Sequence, residues 1–226
     1  MQHQILGEPM PVVECYLQPG EGMRTEKGSM VWMSPNMQMK TEASGGMGAA
    51  LGRAISRESI FQNTYWPEGG PGYIAFGSTF VGSIWPVQVT PQMPIIAQKS
   101  AFLASELGVQ FSVFFQRKLA AGFFGGEGFV MQQFSGQGTV FIEVDGSAVS
   151  KTLQAGEEIL VDNGNLVMMD ASCSMDIRAV SGLKNKLLGG EGFSNTVVKG
   201  PGRIVLQTIT LPRVAQAIAN IMPGRN

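Results

Sequence analysis

Two motifs in this chain return at fixed spacings, and any fold must give each copy an equivalent setting. Leu17-Gln18-Pro19-Gly20-Glu21 recurs 136 residues later as Leu153-Gln154-Ala155-Gly156-Glu157, and Gly28-Ser29-Met30-Val31-Trp32-Met33 recurs at the same distance as Gly164-Asn165-Leu166-Val167-Met168-Met169. A second spacing, 64 residues, links Gly125-Gly126-Glu127-Gly128-Phe129 to Gly189-Gly190-Glu191-Gly192-Phe193, and Gly136-Gln137-Gly138-Thr139-Val140-Phe141-Ile142 to Gly200-Pro201-Gly202-Arg203-Ile204-Val205-Leu206. A looser copy runs from Glu58-Ser59-Ile60-Phe61 to Gly70-Pro71-Gly72-Tyr73-Ile74-Ala75-Phe76. Between the glycines lie short runs of Val, Ile, Phe and Met, the pattern of strands joined by turns.

These repeats predict an all-β fold of three pseudo-repeated antiparallel units forming one domain over residues 1–226. The L-Q-x-G-E motif with its Met-rich strand makes a back half, and the glycine-glutamate motif with its G-x-G strand a front half. In chain order this gives two contiguous units, about 55–120 and 121–185, and a third split between about 1–45 and 186–211. Pairing of segment 12–33 with 189–210 would close the array and remove two sheet edges. The middle back half is placed around Gln98–Ala104. Asp145-Gly146 predicts a tight hairpin turn. Arg213–Met222, following Pro212, carries Val214, Ala217, Ile218 and Ile221 at one-face spacing, which predicts a C-terminal helix docked on the end of the barrel. A helical turn is expected at Ala49–Ser56.

Composition narrows the function. Apolar residues make up 44% of the chain and charged residues only 15%, below the roughly 25% charged of an ordinary soluble protein. Such a surface suits association with another copy. The net charge is −1 and no Lys/Arg run exceeds two residues, which argues against nucleic acid. Cys15 and Cys173 stand far apart without a CxxC partner, so reduced thiols in the cytoplasm are expected rather than a zinc site or disulfide framework. The opening Met1-Gln2-His3-Gln4-Ile5 has no basic and apolar leader pattern, and no apolar run approaches a membrane span.

The ordered motifs resemble the altered-inheritance-of-mitochondria family of bacterial and mitochondrial proteins. The resemblance rests on Gly20-Glu21, Gly28-Ser29-Met30-Val31, Gly45-Gly46 with Glu58-Ser59-Ile60-Phe61, Gly126-Glu127-Gly128-Phe129, and Gly200-Pro201-Gly202 with Leu206-Gln207-Thr208. It implies a fold similar to the tryptophan RNA-binding attenuator protein, a β-sandwich of double-stranded β-helix type. It implies no reaction, and RNA binding does not follow from a shared fold.

Enzymatic chemistry finds little support in the residues. The single histidine, His3, lies near a terminus expected to be mobile. Asp162, Asp170 and Asp176 are expected to be turn caps or solvated carboxylates rather than metal ligands. The stretch Ser44–Arg53 is glycine-rich but lacks the Gly-Lys-Ser/Thr of a phosphate loop. Glu58, Glu127 and Glu191 hold equivalent repeat positions and are expected to accept N–H bonds from their own turns. The candidate interaction patch lies beside them: Leu51, Phe123, Phe124, Leu187 and Leu188, rimmed by Arg53, Arg57, Arg117, Lys118, Lys184 and Lys186. An apolar patch with a basic rim suits a protein partner or an anionic membrane surface. The expectation is therefore a non-enzymatic scaffold that self-associates and needs no cofactor, with anion or small-molecule binding at the glycine-rich turns as the alternative.

Overall fold

In a computed structural model the described residues are mostly β-strand, arranged in several antiparallel sheets with one short α-helix near the C-terminus. The structure describes residues 1–26, 28–43, 61–117, 129–179 and 194–222. They fall into two compact bodies.

The first body comprises Met1–Val89, Phe102–Gln110 and Gly136–Glu143. Its four-stranded sheet runs β1 (Gln2–Leu6), β2 (Val12–Leu17), β7 (Gly72–Gly77), β4 (Met30–Met33). Its six-stranded sheet runs β5 (Met37–Ala43), β6 (Phe61–Pro67), β3 (Met23–Glu26), β10 (Phe102–Glu106), β13 (Gly138–Asp145), β8 (Gly82–Val89). Period-two alternation explains β2: Val13, Cys15 and Leu17 are buried, whereas Val12, Glu14 and Tyr16 face outward. The inward residues join Ile74, Phe76 and Phe141 in one core.

The second body comprises Thr90–Ala101, Phe111–Ser135 and Val144–Asn226. Its six-stranded sheet runs β11 (Val109–Arg117), β12 (Phe129–Gly136), β9 (Ile95–Gln98), β16 (Leu166–Asp170), β19 (Gly202–Gln207), β14 (Ala148–Leu153). A three-stranded sheet runs β15 (Glu158–Asp162), β18 (Ser194–Lys199), β17 (Ser174–Ala179). Ile96, Phe129, Leu166, Val198 and Ile204 belong to its core.

Strand registers recur at the sequence spacings. Leu17 faces Gly72 in the β2–β7 pair as Leu153 faces Gly202 in β14–β19. The β4–β7 register shifts between Met30 and Trp32, and the β16–β19 register shifts between Leu166 and Met168. Each L-Q-x-G-E motif is a turn closed by its own glutamate. Gln18 N donates to Glu21 Oε2 and Gln154 N to Glu157 Oε2, both at 2.8 Å. The chain passes through positive φ at Gly20 (91°) and Gly156 (82°), where a side chain would be strained.

Several expectations need correction. The strands of 12–33 pair with β1, β6, β7 and β10, while β18 and β19 pair with strands from β14 to β17. Among the described residues the first and last segments therefore share no sheet, and each of these back halves pairs with the front half that follows it. Joining neighbours in sequence closes shorter loops and costs less chain entropy. The middle back half begins at β8 rather than near Gln98. The turn after β8 places Met93 N 3.0 Å from Thr90 O, as Glu21 N lies 2.9 Å from Gln18 O; Thr90-Pro91-Gln92-Met93 makes that turn without the Gly-Glu signature.

Asp145-Gly146 forms a turn with φ of 68° at Gly146, but β13 and β14 enter different sheets, so it is not a hairpin. The helix, α1, spans Leu211–Ile221 and buries none of its residues. Its first turn is tied to the β-strands by Arg213, which donates to Asp162 Oδ2 at 3.0 Å, but its apolar stripe is not covered: Ile218 and Ile221 stay 50% and 82% exposed. His3 is held in β1 opposite Cys15, with its ring edge-on to Phe141 at 5.0 Å, so this part of the chain is fixed by a sheet. The helical turn expected at Ala49–Ser56 lies outside the described residues.

Candidate interaction surface

The patch read from the sequence lies almost wholly outside the described residues: Leu51, Arg53, Arg57, Lys118, Phe123, Phe124, Lys184, Lys186, Leu187 and Leu188, together with Glu58, Glu127 and Glu191. Arg117 ends β11. The described residues bring a different surface together.

That surface is the outer face of the four-stranded sheet. Gln4, Glu14, Ala75 and Trp32 form one row across β1, β2, β7 and β4. Tyr16 and Tyr73 face each other in the neighbouring row. Ala75 presents only a methyl group between Glu14 and Trp32, which lets the indole Nε1 reach across β7 and donate to Glu14 Oε2 at 2.7 Å. Gln4 Nε2 donates to Glu14 Oε1 at 3.0 Å, and the Tyr16 hydroxyl donates to the same oxygen. These donors, Tyr16 first, hold the Glu14 carboxyl below its ordinary pKa. The same bond pushes the Tyr16 hydroxyl above its ordinary value.

A carboxylate fixed by three donors is an orienting group. It orients Trp32 and Tyr16, with Tyr73 opposite Tyr16, and these side chains, together with Leu6 on the same face of β1, remain 36–40% exposed. Rigid aromatic residues of this kind are enriched among interface anchors. The edge of the sheet adds to the surface. All four residues of β4, Met30 to Met33, are 36–53% exposed, whereas Leu166 to Met169 on β16 are at most 1% exposed.

The remaining polar groups are mostly occupied. Gly20, Glu21, Gly22, Gln88, Glu106 and Gly138 line part of an open hollow of about 330 Å³. The Met1 amino group lies 3.3 Å from Glu21 and 3.5 Å from Glu106, and Glu106 also accepts a bond from Thr139 N at 2.6 Å. Asp162 caps a short 3-10 turn by accepting from Gly164 N, whereas Asp170 accepts from Arg203 N across the sheet and Asp176, inside β17, accepts from Ile177 N. Cys15 and Cys173 are free and buried. Burial, aided by nearby Glu106 and Glu14, pushes the Cys15 thiol up to about 12. Among the described residues there is no cluster of His, Cys, Asp and Glu able to hold a metal, and no helix is long and apolar enough to cross a membrane.

Sequence reasoning missed Glu14 and its aromatic partners. The signal was available in Val12-Val13-Glu14-Cys15-Tyr16-Leu17, whose alternation puts a carboxylate and a tyrosine on one face.

These features define an all-β protein with a group of exposed aromatic and apolar residues on an outer sheet face and its edge. The family described as mitochondrial biogenesis AIM24 matches residues 3–209, and the chain belongs to that family. It is 30% identical over 222 residues to an uncharacterised protein of Streptococcus pyogenes serotype M6, covering 94% of this chain and 87% of that protein. Its fold matches the X-ray structure of another Streptococcus pyogenes protein with a TM-score of 0.79 at 25% identity, covering 98% of this chain and 99% of that one.

Proposed function

We propose that this chain is a non-enzymatic interaction protein that associates with itself, acting through the outer face and edge of its four-stranded sheet. The observation that carries this reading is β4: four consecutive apolar residues, Met30-Val31-Trp32-Met33, each at least 36% exposed. An exposed strand without charge or proline is a template for pairing, and natural sheets normally protect such edges. The orientation of Trp32 by Glu14 lowers the entropy lost when a partner immobilises the ring. Cytoplasmic residence belongs to the same reading, because a reducing compartment keeps two unpaired thiols as they are. Light scattering on the purified protein at micromolar concentration tests self-association. We expect a mass at a multiple of the 24.2 kDa chain; a monomer throughout the concentration series overturns the reading.

A further inference from the structure

The strand registers identify what the β4 edge lacks. In the first body, β10 pairs with β3, placing Ala104 opposite Thr25, Ser105 opposite Arg24 and Glu106 opposite Met23. In the second, β16 pairs with β9, placing Met168 opposite Ala97, Met169 opposite Ile96 and Asp170 opposite Ile95. These two pairs correspond at the recurring spacings. β4 is the counterpart of β10 and β16: it pairs with β7 as β16 pairs with β19, with the same register shift. Ser34 follows it, and its Oγ accepts Tyr73 N as Glu106 accepts Thr139 N and Asp170 accepts Arg203 N. β15 is the counterpart of β3 and β9. It pairs with β18 through Val161–Thr196 as β9 pairs with β12 through Ala97–Gln132 and β3 with β6 through Thr25–Asn63.

Of these six strands, β4 and β15 are sheet edges; the other four are flanked on both sides. Their exposure follows. Leu160 on β15 is 58% exposed, whereas its counterpart Ile96 is 1% exposed. Trp32 is 39% exposed, whereas Ala104 and Met168 are at most 1% exposed. Each edge thus has the register and the apolar residues of a strand that is internal elsewhere in the chain; neither carries lysine or proline as a guard, and the carboxylates at the ends of β15, Glu158 and Asp162, are paired with Lys199 and Arg213.

We infer that β4 of one copy pairs antiparallel with β15 of a second copy, with Trp32 opposite Val161, Met33 opposite Leu160 and Ser34 opposite Ile159. This deepens the self-association reading and rests on it. The contact joins two different surfaces, so it is heterologous and is completed on every copy when the assembly closes. Among the described residues each of these strands has a neighbour on one side only within its own sheet, and a second copy supplies the matching strand.

Cross-linking tests the register. Directly opposed residues of an antiparallel pair bring their Cβ atoms within about 5 Å, so chains carrying Met33→Cys and chains carrying Leu160→Cys are mixed and treated with a short thiol-specific linker. The buried Cys15 and Cys173 serve as the silent background. A covalent dimer from the mixture, absent from either variant alone, is expected. Its absence overturns the inference, as does a link formed within one chain in the Met33→Cys/Leu160→Cys double variant. Leu160→Lys changes an exposed side chain and is expected to reduce the light-scattering mass to that of the monomer with an unchanged circular dichroism spectrum. If Leu160→Lys and the unlinked mixture both remain multimeric, self-association stands and this interface falls.

Discussion

Replacing Gly202 with alanine tests whether the G-x-G motif is a structural requirement. Gly202 has φ of 149°, and a Cβ there would lie 2.6 Å from Cys173 Sγ and 2.7 Å from Ser172 Oγ. Two costs therefore add. The backbone conformation costs a side chain roughly 1–2 kcal/mol, and forcing overlap into a packed site costs roughly 1–3 kcal/mol more, so Gly202→Ala should lose about 2–5 kcal/mol. Gly156→Ala is the control. Its φ of 82° is also unfavourable, but a Cβ there would have nothing within 4 Å, leaving only the backbone cost of roughly 1–2 kcal/mol. Urea unfolding followed by tryptophan fluorescence measures both, provided the m-value is unchanged. A double-mutant cycle with Cys173→Ala should return part of the Gly202→Ala loss, because it removes the nearest overlapping atom. If Gly202→Ala costs no more than Gly156→Ala, the close-approach argument is wrong.

Other expectations follow from the same geometry. Glu21→Gln should weaken the first L-Q-x-G-E turn by roughly 1 kcal/mol, measured by chemical unfolding. The Gln18 N–H, followed by the Met1 amino group, holds the Glu21 carboxyl below its ordinary value. Its contribution is thus fully present above the ordinary carboxylate pKa and is lost as pH falls through the lowered one, so the variant should flatten the acid limb of a stability–pH curve. The native protein should resist thiol reagents at pH 8 and release both cysteines on unfolding, since each is buried and each thiol pKa is raised; rapid native labelling would contradict this. Ile221→Ser should shift stability by less than about 0.5 kcal/mol in thermal melts because the side chain is 82% exposed. In a thermal-shift screen, no metabolite should raise the melting temperature of an interaction protein of this kind.

The sequence carried the strands, the turns and two spacings because those depend on local chemistry: alternation in β2, positive-φ glycines, and a glutamate three residues after the N–H that it accepts. It did not carry which half pairs with which, because a periodic order of halves can be cut at either phase and only the register distinguishes them. The turn at Thr90–Met93 was illegible for a related reason. Its backbone bond needs neither glycine nor glutamate, so the geometry persisted without the residues that mark it elsewhere. The exposure of Ile218 and Ile221 on α1 is not legible in sequence, because an apolar stripe records what a helix could bury, not whether a surface lies beneath it. The Glu14 row depends on Ala75 being small enough for an indole to cross, a relation among three strands that no single segment displays.

The interleaving of strands also sets an order on synthesis. β3 takes β10 as its neighbour and β10 takes β13, so the six-stranded sheet of the first body draws on residues up to Asp145. A chain emerging from the ribosome would expose Met23 and Thr25 on an unpaired edge while roughly 80 further residues are made, at about 5–20 residues per second. For several seconds the nascent first body would hold an open strand edge, and a chaperone that shields such edges would have its longest opportunity before β10 arrives. Translation pauses in the stretch encoding β4 to β9 should then lower the yield of folded protein more than equal pauses after β13.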